Sequence, residues 1–196
     1  MKENICGCSA KKLFSKYGIY VAFVALFVVL AVASPTFLTS QNLINVLRQV
    51  SVNGILAVGM TFVVLTGGID LSVGSMLALS AVVATNFATT ECGFPLPMAI
   101  FMGVLVGAGC GAFNGLFVAK FKVAPFIVTL AMTTIARGLA LIITDGRPVI
   151  NLTQDYTAIG NGSAGPIPYP VIILIAVLVV GIFLLHFTKY GRHVYA

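Results

Sequence analysis

Residues 65–75 read LTGGIDLSVGS. Two adjacent glycines, an aspartate and two serines stand between apolar runs on either side. An all-apolar run of this length would continue as a helix. Here Gly67 and Gly68 open the backbone to positive φ or close approach. Asp70 stands before the next apolar run, where a carboxylate can cap free N–H groups and is favoured by the helix dipole. Ser72 and Ser75 add donors. Two readings follow. One is a tight, well-capped turn. The other is a pathway or gate element, because polar backbone at membrane depth is tolerated where it lines a cavity or is buried in protein, as in the broken helices of transporters.

The chain around it is of membrane type. Of its 196 residues, 59% are hydrophobic and 8% charged, against roughly a quarter charged in soluble domains. Mean hydropathy is +1.08. Six apolar stretches, near 17–33, 43–66, 71–90, 97–119, 124–143 and 169–187, are each long enough to span a bilayer core of about 30 Å. In lipid they must be helices, since no solvent satisfies an unpaired backbone. The expected fold is therefore an all-α integral membrane protein with about six transmembrane helices. It forms one domain over 1–196: a tail at 1–16, helices across 17–187 and a polar end at 188–196.

The formal charge of +6 reads as topology rather than nucleic-acid binding, because the basic residues sit at the ends of apolar runs. With the N-terminus inside, Lys2, Lys11, Lys12, Lys16, Lys120, Lys122, Lys189 and Arg192 fall inside and only Arg147 outside, which satisfies the positive-inside rule. Both termini are then cytoplasmic. A competing reading takes Lys11, Lys12, Lys16, the run from Ile19 and AVAS at 31–34 as a signal peptide. The outer loop 144–168, rich in Gly, Pro and Asn, predicts turns and is either functional or mobile. Asn151 and Asn161 lie in sequons that matter only in a eukaryotic secretory setting.

No catalytic constellation is visible. His186 and His193 flank the last apolar run with no nucleophile or carboxylate in a recognisable pattern. Cys6, Cys8, Cys92 and Cys110 match no zinc spacing and read as incidental. No P-loop occurs, so ATP is not expected to bind that way. Glycines at 103, 107, 111 and 115 put a smooth strip on one helix face and predict close packing. Arg48 and Arg137 lie within apolar runs, where arginine is costly. Each is either snorkelling or ion-paired, or belongs to a solute path.

LTGGIDLSVGS also resembles a signature of the permease subunits of bacterial ABC importers for ribose, xylose, arabinose and galactose. NLINVLRQVSVNGILAVGMTFVVLTGGIDLSVGSMLAL (42–79) is similar to that family's second and third helices. GAFNGLFVAKFKVAPFIVTLAMTTIARGLALIITDGRPV (111–149) is similar to its next block, with Asn114–Gly115, Pro125–Phe126, Thr129 and Arg137–Gly138 in place. TKYGRHVYA (188–196) resembles the start of the ATPase-contacting segment.

The resemblance implies a permease subunit that forms the path for a monosaccharide. The chain would be no enzyme and would hold no metal or cofactor, with ATP and Mg bound by a partner ATPase bearing two nucleotide-binding domains. It further implies an extracytoplasmic sugar-binding protein, a permease homodimer and the bacterial cytoplasmic membrane, with no nucleic acid. Gly67, Gly68, Asp70, Ser72, Gly74, Asn114 and Arg137 are the expected pathway or gating residues. Gly191, Arg192 and His193 are the expected ATPase-coupling residues. Family members run to about ten helices, so the chain reads as the N-terminal part of such a permease, a fragment or a truncated frame. A permease of the same superfamily for nucleosides, branched-chain amino acids or a furanosyl signal molecule is the alternative. An ion-coupled transporter or channel would need intramembrane acids, and only Asp70 qualifies.

Overall fold

A computed structural model describes the backbone of residues 5–195 and the side chains from Tyr17 onward. The side chains of Cys6, Cys8, Lys11, Lys12 and Lys16, and residues Lys2 and Ala196, lie outside the described set. The chain divides into two compact units, residues 1–47 and 48–196.

The first unit holds α1 (Ile5–Ala33) and the start of α2 (Ser40–Leu65). The turn between them is fastened locally. Thr39 Oγ1 donates to the Thr36 carbonyl at 2.7 Å and accepts the Asn42 N–H at 3.4 Å, so Thr39 caps α2. Asn42 Nδ2 donates to the Phe37 carbonyl at 2.8 Å. Phe27 and Phe37 meet edge to face at 5.4 Å between centroids.

The second unit continues α2 and adds α3 (Val73–Phe87), α4 (Leu96–Ala119), α5 (Pro125–Thr144), α6 (Gln154–Asn161), α7 (Tyr169–Phe187) and α8 (Lys189–Tyr195). Strands β1 (Ser163–Ala164) and β2 (Ile167–Pro168) form a two-stranded antiparallel hairpin between α6 and α7. Proline opens α5 at its first position, where a missing N–H costs nothing. At the other end of α5, Asp145 (φ 51) and Gly146 (φ 67) take the left-handed conformation, and the Gly146 N–H returns to the Leu141 carbonyl at 3.0 Å. This is a Schellman-type stop.

Helix α3 packs most closely against α4 and α5. The core is small and alanine-rich: Leu79, Met132, Ala136 and Ala140 are buried, with Met76, Val106 and Cys110 packed around them. In lipid, where apolar surfaces gain little by leaving the solvent, small residues associate helices by letting backbones approach. The glycine strip of α4 does this against α3. A Cβ on Gly103 would lie 3.0 Å from Ala84 Cβ and 3.2 Å from the Ser80 carbonyl oxygen; one on Gly107 would lie 3.2 Å from Ser80 Oγ. The contact opens toward Gly115, which has nothing within 4 Å. Helices α2 and α7 form a second seam, with Gly54 against Leu174, Gly181 against Val58 and the Phe62 ring 6.2 Å from that of Tyr190. Partner numbers rise together in this seam, so α2 and α7 run parallel. They run oppositely between α3 and α4, which are antiparallel.

All six apolar stretches coincide with helices. Four (α2, α4, α5 and α7) are long and apolar enough to cross a membrane. Helix α3 has only 15 residues, and the described apolar part of α1, Tyr17–Ala33, is also short of that length. The sequence reading of 71–90 as one full-length helix is corrected accordingly: the helix runs only from Val73 to Phe87. The outer loop is also more ordered than turns alone. It contains α6 and the hairpin, and an isolated bridge joins Thr89 to Leu152. The guanidinium of Arg48 donates to the carbonyl of Asn161 at the end of α6.

Candidate functional site

Helix α2 stops where the sequence turns polar. Gly67 adopts φ +74, and the Gly68 N–H bonds the Val63 carbonyl at 3.0 Å. An L side chain at Gly67 would be strained. A Cβ at Gly68 would press on Val63 at 3.3 Å. The chain then runs outside any helix from 68 to 72, with a bend at Leu71, before α3 begins.

Two threonines of α5 hold this segment. Thr129 Oγ1 reaches the Ile69 carbonyl at 3.3 Å, and Thr133 Oγ1 the Leu71 carbonyl at 3.0 Å. The match is geometric. Residues four apart on a helix rise about 6 Å along one face. Carbonyls two apart on an extended chain repeat at about 6.6 Å on one edge. Each hydroxyl has one hydrogen and also faces a carbonyl of its own helix, Phe126 at 3.4 Å and Thr129 at 2.8 Å respectively. The bonds are therefore three-centred.

On the other side, Asp70 Oδ1 accepts both the Ser72 N–H at 2.7 Å and the Ser72 hydroxyl at 2.5 Å. Asp70 was expected to cap the free N–H groups of α3. It takes instead the N–H of the residue just before the helix, an Asx-type turn. Ser72 is fully buried. Its single hydrogen faces the carboxylate and, at 3.0 Å, Met76 Sδ, so toward Asn114 Nδ2, 3.0 Å away on α4, Ser72 Oγ can only accept. That fixes the orientation of the amide and leaves Asn114 Oδ1 buried without a partner. Asn114 itself is 6% exposed. Ser75 donates back to the Ser72 carbonyl at 3.0 Å.

The structure thus brings Gly67, Gly68, Asp70, Ser72 and Asn114 into one network. Gly74 is in the first turn of α3 with open space around it, and packing places no demand for glycine there. Arg137 does not join the network. It is exposed on α5, on a separate cavity with Arg147. Thr133 was missed in the sequence; its spacing of four from Thr129 was the available signal.

At the chain's far end, the 188–196 segment forms α8. Gly191 and Val194 are buried, while Arg192 and His193 face outward. A Cβ on Gly191 would collide with the Leu185 carbonyl, so α8 folds against the end of α7 by backbone contact.

Residues 42–196 match the family model described as "Branched-chain amino acid transport system / permease component". The chain is 42% identical over 186 residues to the ribose import permease protein RbsC of Bacillus subtilis, covering 94% of this chain and 57% of that protein. It is 38% identical to the L-arabinose ABC transporter permease protein AraH of Azospirillum brasilense, covering 94% of this chain and 54% of the other. It is also 38% identical to the galactofuranose transporter permease protein YtfT of Escherichia coli, over 78% and 44%. The chain spans about half the length of these curated relatives. No solved structure matches it.

Proposed function

Because the chain belongs to the branched-chain amino acid transport system permease family, we propose that it works as a membrane permease component of an ATP-binding-cassette sugar importer, carrying a ribose-like monosaccharide. The similarity to the ribose permease supports the substrate class. ATP and Mg would be bound by a partner ATPase with two nucleotide-binding domains. A sugar-binding protein would deliver the solute on the outer face, and two permease copies would pair in a bacterial cytoplasmic membrane.

In this reading six helices cross the bilayer with both termini inside. The helix directions support it: α2 and α7 run one way, α3 and α5 the other, as alternating spans require. Helix α3 is the short span. Its 15 residues rise about 22 Å, and the non-helical residues 68–72 lead into it.

The observation that carries the mechanism is the network around residues 67–72. The segment is held between α4 and α5 by hydroxyls that have a second acceptor on their own helix. When the segment shifts, Thr129 and Thr133 each keep a hydrogen-bond partner on α5, so neither hydroxyl is stranded. Gly67, Gly68, Asp70, Ser72, Gly74 and Asn114 would act as the gating element. The outward Arg192 and His193 of α8, positioned by Gly191, would face the ATPase.

The test is uptake of labelled ribose by cells expressing the gene cluster, with Asp70→Asn and Thr129→Val/Thr133→Val introduced. The reading expects uptake that depends on the ATPase and falls in both variants. Unchanged uptake in both would remove the gating role. Uptake that survives ATP depletion but collapses with the ion gradient would remove the importer class. The similarity to a galactofuranose permease favours a furanose as the alternative solute, which competition between the two sugars separates.

A further inference from the structure

A second site lies apart from the network, toward the opposite end of α3 and α5. A cavity of about 470 Å³ opens between these helices and the 146–149 loop. Its walls include Ala78, Ala81 and Ala140, and both Arg137 and Arg147 line it. No acidic residue lines it, and among the described residues neither guanidinium forms an ion pair. The hydroxyls at its edge have their hydrogens engaged: Thr85 Oγ1 donates to the Ala81 carbonyl at 2.8 Å and Thr144 Oγ1 to the Ala140 carbonyl at 3.0 Å. The donors left for a ligand are the two guanidinium forks.

Each arginine alone has an ordinary explanation. Arg147 follows the C-terminus of α5, where a cation meets the negative end of the dipole. Arg137 can extend its stem along apolar surface toward water. Neither explanation accounts for two like charges sharing one cavity whose lining holds no acid, the nearby Asp145 lying outside that lining. Like charges at close range repel, and cations at membrane depth are costly. A neutral polyol would leave both charges standing. An oxyanion between them would cancel the repulsion and engage both forks in bidentate bonds.

We propose that this cavity binds a phosphate-type oxyanion, and that an anionic phospholipid headgroup supplies it. The level and the surroundings favour lipid. Arg137 sits seven residues before the end of α5, about 10 Å along the axis, and the cavity it shares with Arg147 reaches from there to the height of the helix end. Below that height α5 turns apolar side chains outward, with Leu141 55% and Ile142 73% exposed. The alanine walls leave room beside them for an acyl chain. The headgroup would be clasped at the interface with its tail along the α3–α5 face. This site needs only that α5 cross a bilayer. It does not rest on the transport reading, and it stands whichever solute is carried.

Native mass spectrometry of the 196-residue chain in detergent, titrated with phosphatidylglycerol, phosphatidylcholine or inorganic phosphate, tests it. The expected result is a preference for phosphatidylglycerol over phosphatidylcholine of about thirtyfold, the effect of two basic side chains at an anionic surface. Arg137→Gln/Arg147→Gln should abolish the preference, while Arg137→Lys/Arg147→Lys should keep most of it. Circular dichroism reports whether the variants fold. Should the glutamine pair fail to, the single Arg147→Gln change, outside any helix, should still lower the preference several-fold. Equal retention of the two lipids, or a preference that survives the glutamine changes in folded protein, overturns the site. Displacement of phosphatidylglycerol by inorganic phosphate at equal concentration overturns the lipid as the source.

Discussion

Replacing Ser72 by alanine tests the hydrogen-bond network where it is most constrained. The substitution removes two strong bonds and a weak one to Met76 Sδ at 3.0 Å. One of the strong pair is the hydroxyl donated to Asp70 at 2.5 Å, the second the acceptance from Asn114 Nδ2 at 3.0 Å. A bond to a charged group contributes about 1.5–3 kcal/mol and a neutral one about 0.5–1.5 kcal/mol. Asp70 is half-exposed, so water replaces part of the first. The second leaves the buried Asn114 amide with only a long contact from Nδ2 to Met76 Sδ at 3.9 Å, since Oδ1 already has no partner. The expected loss is about 2–3 kcal/mol. Asn114→Leu behaves differently. It gives up the same neutral bond but removes the orphaned carbonyl, and should cost less than about 1 kcal/mol. The double variant should be no worse than Ser72→Ala, because no amide remains to be stranded. Unfolding of the three variants in detergent micelles, followed by titration with a denaturing detergent, gives all three values. Ser72→Ala indistinguishable from the parent, or a double variant that shows the plain sum, would refute the assignment of the hydroxyl hydrogen to Asp70.

Three further outcomes are expected. Gly103→Val should destabilise by about 1–3 kcal/mol, because its Cβ meets Ala84 and the backbone of Ser80, whereas Gly115→Ala at the open end of the same strip should be close to neutral in the same titration. Gly191→Ala should displace α8, since the collision is with the Leu185 carbonyl and not with a movable side chain; accelerated proteolysis after Arg192 would report it. Burial raises the Tyr156 phenol above its ordinary value of 10.0. The unfolded chain therefore loses its proton first, and the stability the neutral phenol contributes is whole below pH 10 and declines as pH rises through the higher folded value. Phenolate absorbance should show one tyrosine titrating late, and the late step should vanish in Tyr156→Phe.

The helices were legible because lipid-facing runs are long and nearly unbroken, and their ends carry Pro, Gly or Lys. The boundaries of α5 and α7 agree with the sequence reading to within one residue. What the sequence concealed was short or distant. QDYTAIGN is polar and eight residues long, too short to hold a helix by propensity. Among its ties are the Arg48 bond, 113 residues away in the chain, and its packing on α7. Ser72 and Asn114 are 42 residues apart, and nothing local announces that they meet. The glycine pair, by contrast, was readable at once, because few residues other than glycine reach φ +74 without strain.

The small helix α8 has a mechanical consequence. Its angle to α7 is set by bare backbone at Gly191, which leaves no compliant side chain to absorb a push. Its Tyr190 ring also rests beside Phe62, five residues ahead of Gly67. A load applied to Arg192 and His193 therefore arrives at the last turn of α2. The next yielding point along the chain is the glycine pair itself. In the proposed importer the stiff corner and the glycine pair would stand in series, so that a displacement entering at Arg192 and His193 would be spent as bending at residues 67–68.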